Sequence, residues 1–245
     1  MLSERPVKLV VRKKIVFVIV EGPSDNHALG LMFARFYKGK QVYVHILYRD
    51  ITTERGMNKA KILAAVGYEV KMYARNTHLK SSHFHEIIHI VDTDGAYIDN
   101  AHIVDDPAAE EPVYLETEIR TKDKPGIEKR NLQKRENLDK MTMTKNVWGI
   151  PYNVYYMSCN LDHVLHDKLN STDAEKEQDA YDFAKRYEND LPGFLDFISN
   201  SDFSVQGNYV ETWKFIKENL HSLERHTNLG LGFEDRACEH MAFQI

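Results

Sequence analysis

The chain has 245 residues, 42% of them hydrophobic, and sets 37 Asp plus Glu against 32 Lys plus Arg for a net charge of −5. This excludes intrinsic disorder and a collagen-like repeat, and the length suits one substantial domain, or a domain with an appendage. The two cysteines, Cys159 and Cys238, form neither a CxxC pair nor a disulfide framework, so ordinary burial of both thiols in a reducing, cytoplasmic interior is expected.

Arg12, Lys13 and Lys14 before the apolar run Ile15 to Val20 imitate a signal peptide over Val7 to Val20. The run is too short to span a bilayer and lacks a small-residue cleavage site, so no membrane association is expected. Ile15 to Val20 instead reads as a central strand buried on both faces. A helix follows, with Ser24 as its expected N-cap, an apolar stripe of Leu29, Met32, Phe33 and Phe36, and Gly39 as the stop. Gln41 to Tyr48 is the second predicted strand, Met57 to about Ala74 the second helix, and Glu86 to Val91 the third strand. This alternation predicts a mostly parallel sheet flanked by helices.

A loose stretch, Tyr97 to Glu111, precedes a strand expected over Val113 to Ile119. Arg120 to Lys145 then carries nine basic residues against four acidic ones, with a helix expected in its middle. Ile150 to Met157 reads as a strand and Asn160 to Leu169 as a helix. From Asp173 the chain is expected to be helical, with Ala180, Phe183, Ala184 and Tyr187 on one face, and Trp213, Ile216, Leu220 and Leu223 on another. The expected organisation is an α/β domain over residues 1–170, with a core at 14–110, a basic insertion at about 120–145 and a further strand and helix at 150–169. Residues 171–245 are expected to form a helical extension packed on it.

Two motifs carry chemistry. Glu21-Gly22-Pro23-Ser24-Asp25 closes the first strand, so Glu21 leaves the strand tip while Asp25 enters the first helical turn. Asp92-Thr93-Asp94-Gly95 closes another strand, where period-two alternation sends Asp92 and Asp94 to one side, with Cα atoms roughly 6–7 Å apart. In a parallel open sheet both motifs fall at the crevice beyond the strand carboxyl ends, where ligands bind. Carboxylates gathered there repel one another, and an all-oxygen cluster suits Mg²⁺ or Mn²⁺ better than zinc. Such ions hold phosphates and activate water, which points to phosphodiester cleavage. Either motif alone is commonly structural; an apolar strand ending in EGxxD, two helix–strand units and a second strand ending in DxDG make a far more demanding arrangement.

That pair of motifs resembles the TOPRIM family, the catalytic fold of topoisomerases, primases and nucleases. The resemblance covers mainly Ile15 to Gly95. It implies a Rossmann-like TOPRIM core in which Glu21, Asp92 and Asp94 are catalytic and bind metal. Asp25 looks like the additional metal-site carboxylate of overcoming-lysogenization-defect nucleases and antiphage, or abortive-infection, effectors. Asn160-Leu161-Asp162 is similar to a degenerate Asp-Ile-Glu segment of some antiphage relatives, which would add Asp162 to the metal set. An acid favoured at a helix N-terminus explains Asp162 as well, and Asp50 is a lesser candidate.

The chain has no room for a strand-passage domain bearing a nucleophilic tyrosine. It shows no zinc module of a primase and no GxxxxGK[ST] loop, so any ATPase partner would be a separate chain. The resemblance thus implies a nuclease acting on RNA (such as tRNA) or DNA in antiphage defence. A catalytically silent subunit that binds nucleic acid or an ATPase, and a housekeeping RNA-processing enzyme, are the alternatives, and a homodimer is allowed. Within the basic segment, Lys129, Arg130, Lys134, Arg135 and Lys145 are the candidates for contacting a nucleic-acid backbone; a solvated charged helix is the competing reading. His83, His85 and His89 are expected at the surface or a strand edge, and His163 and His166 as packing or surface groups.

Overall fold

In the computed structural model, which describes residues 13–40 and 42–233, the elements run β1 (Lys14–Val20), α1 (Pro23–Phe36), β2 (Val42–Tyr48), α2 (Ile62–Asn76) and β3 (Phe84–Asp92). Then come β4 (Ile103–Asp105), β5 (Val113–Tyr114), β6 (Ile119–Thr121), α3 (Lys124–Thr142), β7 (Asn146–Val147) and β8 (Ile150–Met157). The helices α4 (Leu161–His166), α5 (Asp173–Tyr187), α6 (Leu191–Asn200) and α7 (Tyr209–Phe215) close the described chain. None of the described helices is long and apolar enough to cross a membrane.

The main sheet has the order β2-β1-β3-β8-β7, parallel throughout except for the terminal β7–β8 hairpin. This is an α/β fold of Rossmann-like build. The unbroken apolar run of β1 is explained by its neighbours on both faces. Val16, Val18 and Val20 pack with Leu29, Met32 and Phe33 of α1, whereas Ile15, Phe17 and Ile19 pack with Ile62, Val66 and Val70 of α2. From β1 the chain moves outward to β2, then returns past β1 to β3. Their carboxyl ends, neighbours in space, therefore flank the point where strand order reverses, the customary ligand crevice of such sheets.

The late helices extend both layers. Phe183 and Tyr187 of α5 and Phe194 and Ile198 of α6 join the α1 core, while Trp213 of α7 joins the α2 core. A separate three-stranded sheet, β4-β6-β5, covers a small apolar cluster containing Ile98, Ile103, Ile119, Ile127, Cys159 and Leu223.

Several sequence expectations are corrected. The single strand expected over Val113 to Ile119 is an antiparallel pair, β5 and β6, separated by a turn in which Leu115 N–H donates to the Glu118 carbonyl. Helix α2 starts at Ile62 rather than Met57, because a turn with Asn58 Oδ1 accepting from Ala60 N–H precedes it. The N-cap of α1 is Gly22, not Ser24, and Pro23 takes the first helical position. Helix α4 stops short of Leu169 because Asp167 turns left-handed at φ 60°. The stripe from Trp213 to Leu223 does not share one helix: α7 ends at Phe215, and Leu223 reaches the small cluster from a turn. His89 is fully buried in β3, with its Nδ1 2.9 Å from the Tyr152 hydroxyl; burial pushes its pKa down to about 3. Residues 7–12, Gln41 and Cys238, each named in an expectation above, lie outside the described residues.

Candidate active site

Each side chain of the crevice is placed by a short local rule. At the tip of β1, Gly22 N–H donates to Asp25 Oδ2 at 2.8 Å, and Ser24 Oγ donates to Asp25 Oδ1 at 3.4 Å, so the first turn of α1 is closed by its own acid. Glu21 stands before this turn. One of its oxygens accepts from Thr52 Oγ1 at 3.3 Å, and the other lies 3.4 Å from Lys134 Nζ.

Strand β3 ends at Asp92. The next residue, Thr93, is fully buried, donating from Oγ1 to Ser222 O and accepting there from Cys159 N–H, both at 2.8 Å. Asp94 then turns left-handed at φ 49° and Gly95 at φ 64°. The alternation expected to align Asp92 with Asp94 is thus interrupted: Asp92 faces the crevice, whereas Asp94 swings to Lys134 Nζ at 2.5 Å.

Gly95 is required here on two grounds. Its φ suits glycine, and a Cβ would stand 2.5 Å from Leu223 Cδ2 and 3.1 Å from Ile119 Cδ1. Gly95→Ala is therefore expected to destabilise the fold by about 2–4 kcal/mol from backbone strain plus overpacking, measurable by urea denaturation. A loss below about 0.5 kcal/mol would show that the turn is not constrained this way.

Glu21, Asp25, Asp92 and Asp162 line one cleft of about 570 Å³. Its opposite wall comes from α5, which contributes Asp173, Lys176 and Glu177. Asp92 and Asp162 accept no side-chain hydrogen bond from any described residue, so both carboxylates present free lone pairs to the cleft. Behind Glu21, Lys134 is completely buried between Glu21 and Asp94. Asp50 is occupied by its own turn, accepting from Thr52 and Thr53, and does not line the cleft.

The electrostatics follow from this crowding. Burial pushes the Glu21 carboxyl up to about 8 against the pull of Lys134, with Asp50, Asp94 and Asp25 adding to the rise. Burial, then Glu21, Asp25 and Asp94, holds Asp92 well above the usual carboxylate range. Burial also raises Asp25, opposed by the Gly22 N–H. Asp162 is pushed up to about 6, again chiefly by burial, with Lys176 opposing. Burial alone would lower the Lys134 ammonium, but Asp94, Glu21, Asp50 and Asp92 outweigh it and hold the pKa above the usual lysine range.

A raised carboxylate pKa means that the folded state holds a proton the unfolded chain releases, so stability falls as pH rises between the two values. For Glu21 that window runs from the ordinary 4.5 to about 8. Metal-free protein is therefore expected to lose on the order of 2 kcal/mol between pH 5 and pH 8, with a smaller loss in Glu21→Gln. Chemical denaturation at several pH values in chelator tests this, and identical slopes in the two proteins would refute it.

Comparison with known proteins gives no match among family models, curated proteins or solved structures.

The basic segment is divided by the fold. Lys134 is not a surface contact for a polymer, because α3 turns it inward into the ion pairs above. Arg130 is also drawn in, donating to the Asp94 carbonyl at 2.9 Å, to Asn131 Oδ1, and to the Tyr114 hydroxyl. Lys129 is exposed and Arg135 half-exposed, and both remain on the outer side of α3. Lys145 is exposed at the other end of the sheet, where its carbonyl accepts from Tyr152 N–H; Tyr152 pairs with Ile87, five residues before Asp92. At about 3.3 Å per residue this places it some 16 Å from the cleft.

Two features escaped sequence reasoning. Lys134 lies on the buried stripe Ile127, Asn131, Lys134, Leu138 and Met141, so a helical period with polar members was the available signal. Lys176 had no signal, since only tertiary packing of α5 against α1 brings it to the cleft. Finally, one described group of His, Cys, Asp or Glu has three donor atoms within 4.8 Å of one another and could hold a metal ion: Glu116, His163 and Asp167. His163 is buried, as expected of a packing group, and His166 packs edge-on against Phe183.

Proposed function

We propose that the cleft hydrolyses phosphodiester bonds of nucleic acid with Mg²⁺ or Mn²⁺, in the manner of a TOPRIM nuclease. The observation that carries this is the meeting of Glu21, Asp25, Asp92 and Asp162 in one cleft where two of the carboxylates have no hydrogen-bond donor among the described side chains. The donor set is all oxygen, which fits a hard dication, and charge neutralisation of the crowded acids is what such an ion would provide. These four residues would hold it, and it would supply Lewis-acid stabilisation of phosphate charge and acidification of water.

The chain's own groups have separable roles. In the metal-free protein burial pushes the Glu21 carboxyl up to about 8, so it holds a proton near neutral pH that metal binding would release. Lys134 positions Glu21 and fixes the Asp94 turn. Lys176, beside Asp25 and Asp162 on the far wall, pairs with a phosphate oxygen, and Lys129 and Arg135 attract the polymer from outside the cleft. The paired EGxxD and DxDG motifs extend the proposal to a toxic antiphage effector cutting RNA such as tRNA, or DNA.

One observation favours a second reading, a silent nucleic-acid- or ATPase-binding subunit. Lys134 already neutralises part of the acidic cluster, so its charge is partly balanced without a metal. Incubation with tRNA and plasmid DNA in Mg²⁺ or Mn²⁺, beside Glu21→Gln, Asp92→Asn and Lys176→Ala, separates the two. Cleavage lost in the first two variants and weakened in the third supports the nuclease. Cleavage that survives both acid substitutions would mean another site, and no cleavage with or without an ATPase partner would favour the silent subunit.

A further inference from the structure

Well apart in sequence from the EGxxD and DxDG motifs, Glu116 lies in the turn between β5 and β6, while His163 and Asp167 belong to α4 and its end. We propose that these three side chains bind a first-row transition dication of the zinc class, and that this ion ties the β5–β6 hairpin to α4.

The histidine is the decisive observation. Its side chain is 1% exposed, and its Nδ1 is buried without a hydrogen-bond partner. Nε2 points between two carboxylates, 3.7 Å from Glu116 Oε1 and 3.9 Å from Asp167 Oδ1. Those separations are too long for direct hydrogen bonds, so among the described residues Nδ1 has no partner and Nε2 meets the two carboxylates only across a gap. A buried imidazole left in that state is costly. The separations do match donors around a shared ion: bonds of about 2.0–2.2 Å from zinc to nitrogen and oxygen place ligand atoms about 3.3–4 Å apart. One imidazole nitrogen with two carboxylates suits zinc and its neighbours better than Mg²⁺.

The surroundings preset the geometry. Asn170 Oδ1 accepts from Tyr114 N–H and its Nδ2 donates to Tyr114 O, both at 2.8 Å, clamping the hairpin against the segment after α4. Arg225 donates to Val164 O through Nε at 3.0 Å and Nη2 at 2.8 Å, while its Nη1 stands 3.9 Å from Asp167 Oδ2. Asp167 Oδ1 is thereby left to face His163. Glu116 and Asp167 are 59% and 66% exposed, which leaves an entry path and room for water to complete the coordination.

The ion would stiffen two walls of the cleft. His163 follows Asp162 directly on α4. Tyr114 of the same hairpin accepts from Arg130, which in turn holds the Asp94 carbonyl.

Calorimetric titration of chelator-treated, full-length protein with Zn²⁺ tests this independently of the nuclease reading. One equivalent is expected in the Glu21→Gln/Asp92→Asn variant, where the cleft is disabled, and the wild type should bind that same equivalent besides any Zn²⁺ taken up by the cleft. Glu116→Gln and Asp167→Asn alter exposed groups, so both proteins should fold; each should weaken Zn²⁺ at least about tenfold and remove the Zn²⁺-induced rise in Tm. Unchanged affinity in both, absence of Zn²⁺ binding in the wild type, or loss of binding in the Glu21→Gln/Asp92→Asn variant would each overturn the assignment.

Discussion

Replacing Lys134 by methionine is expected to destabilise the protein by about 3–5 kcal/mol near pH 8, among the largest effects any single substitution here can have. The methionine keeps the volume and removes the buried positive charge that Glu21, Asp94, Asp50 and Asp92 share. The cost is that of leaving carboxylates without their counter-charge, which exceeds the net worth of the ion pairs themselves. Protonation can relieve it, so the penalty should shrink as pH falls towards 5. A urea-unfolding series of wild type and Lys134→Met across pH 5–8 would show the two stabilities converging on acidification. A penalty independent of pH would indicate lost packing instead, and a penalty under about 1 kcal/mol would show that Lys134 is not the hub of the cluster.

The second large effect is a pair of opposite changes from Asp92→Asn. Asp92 accepts no hydrogen bond from a described side chain and sits among like charges, so amidation removes repulsion and should stabilise metal-free protein by about 1–2 kcal/mol. The same change removes a cleft-facing ligand that contributes several kcal/mol to neutralising transition-state charge, and should lower cleavage about 10²–10⁴-fold. A variant that is more stable yet inactive identifies a residue retained for chemistry. Thermal melts in chelator and single-turnover cleavage test the two halves separately; a destabilised Asp92→Asn would show that the carboxylate serves the fold.

The sheet was legible in the sequence because its strands carry strong local signals. Ile15 to Val20 is apolar at every position since helices cover both faces, and Ile150 to Met157 matches β8 at both ends. The neighbourhood of Glu21 and Asp92 followed from the usual placement of ligands at strand carboxyl ends. Asp94 was misjudged because period-two alternation holds only within a strand, and β3 stops at Asp92. Lys134 was counted as a surface charge because composition records a basic segment and not the direction each side chain faces along a helix. Lys176 and the Glu116–His163–Asp167 group join residues from separate elements, and a single sequence carries no information about such meetings.

The binding of Thr93 and Gly95 to Ser222 has a consequence for how the protein is made. The Thr93 hydroxyl and the Gly95 amide both bond Ser222 O, Cys159 N–H bonds the same carbonyl, and Ser158 N–H bonds His226 O. The acidic turn is thus latched by residues synthesised more than a hundred positions later. A chain still emerging from the ribosome can pair β1 with β2 and β3, yet the loop bearing Asp92 and Asp94 stays unlatched until Ser222 to His226 has been released. For a protein whose proposed activity endangers its own cell's nucleic acid, that ordering postpones competence until Ser222 to His226 has left the ribosome.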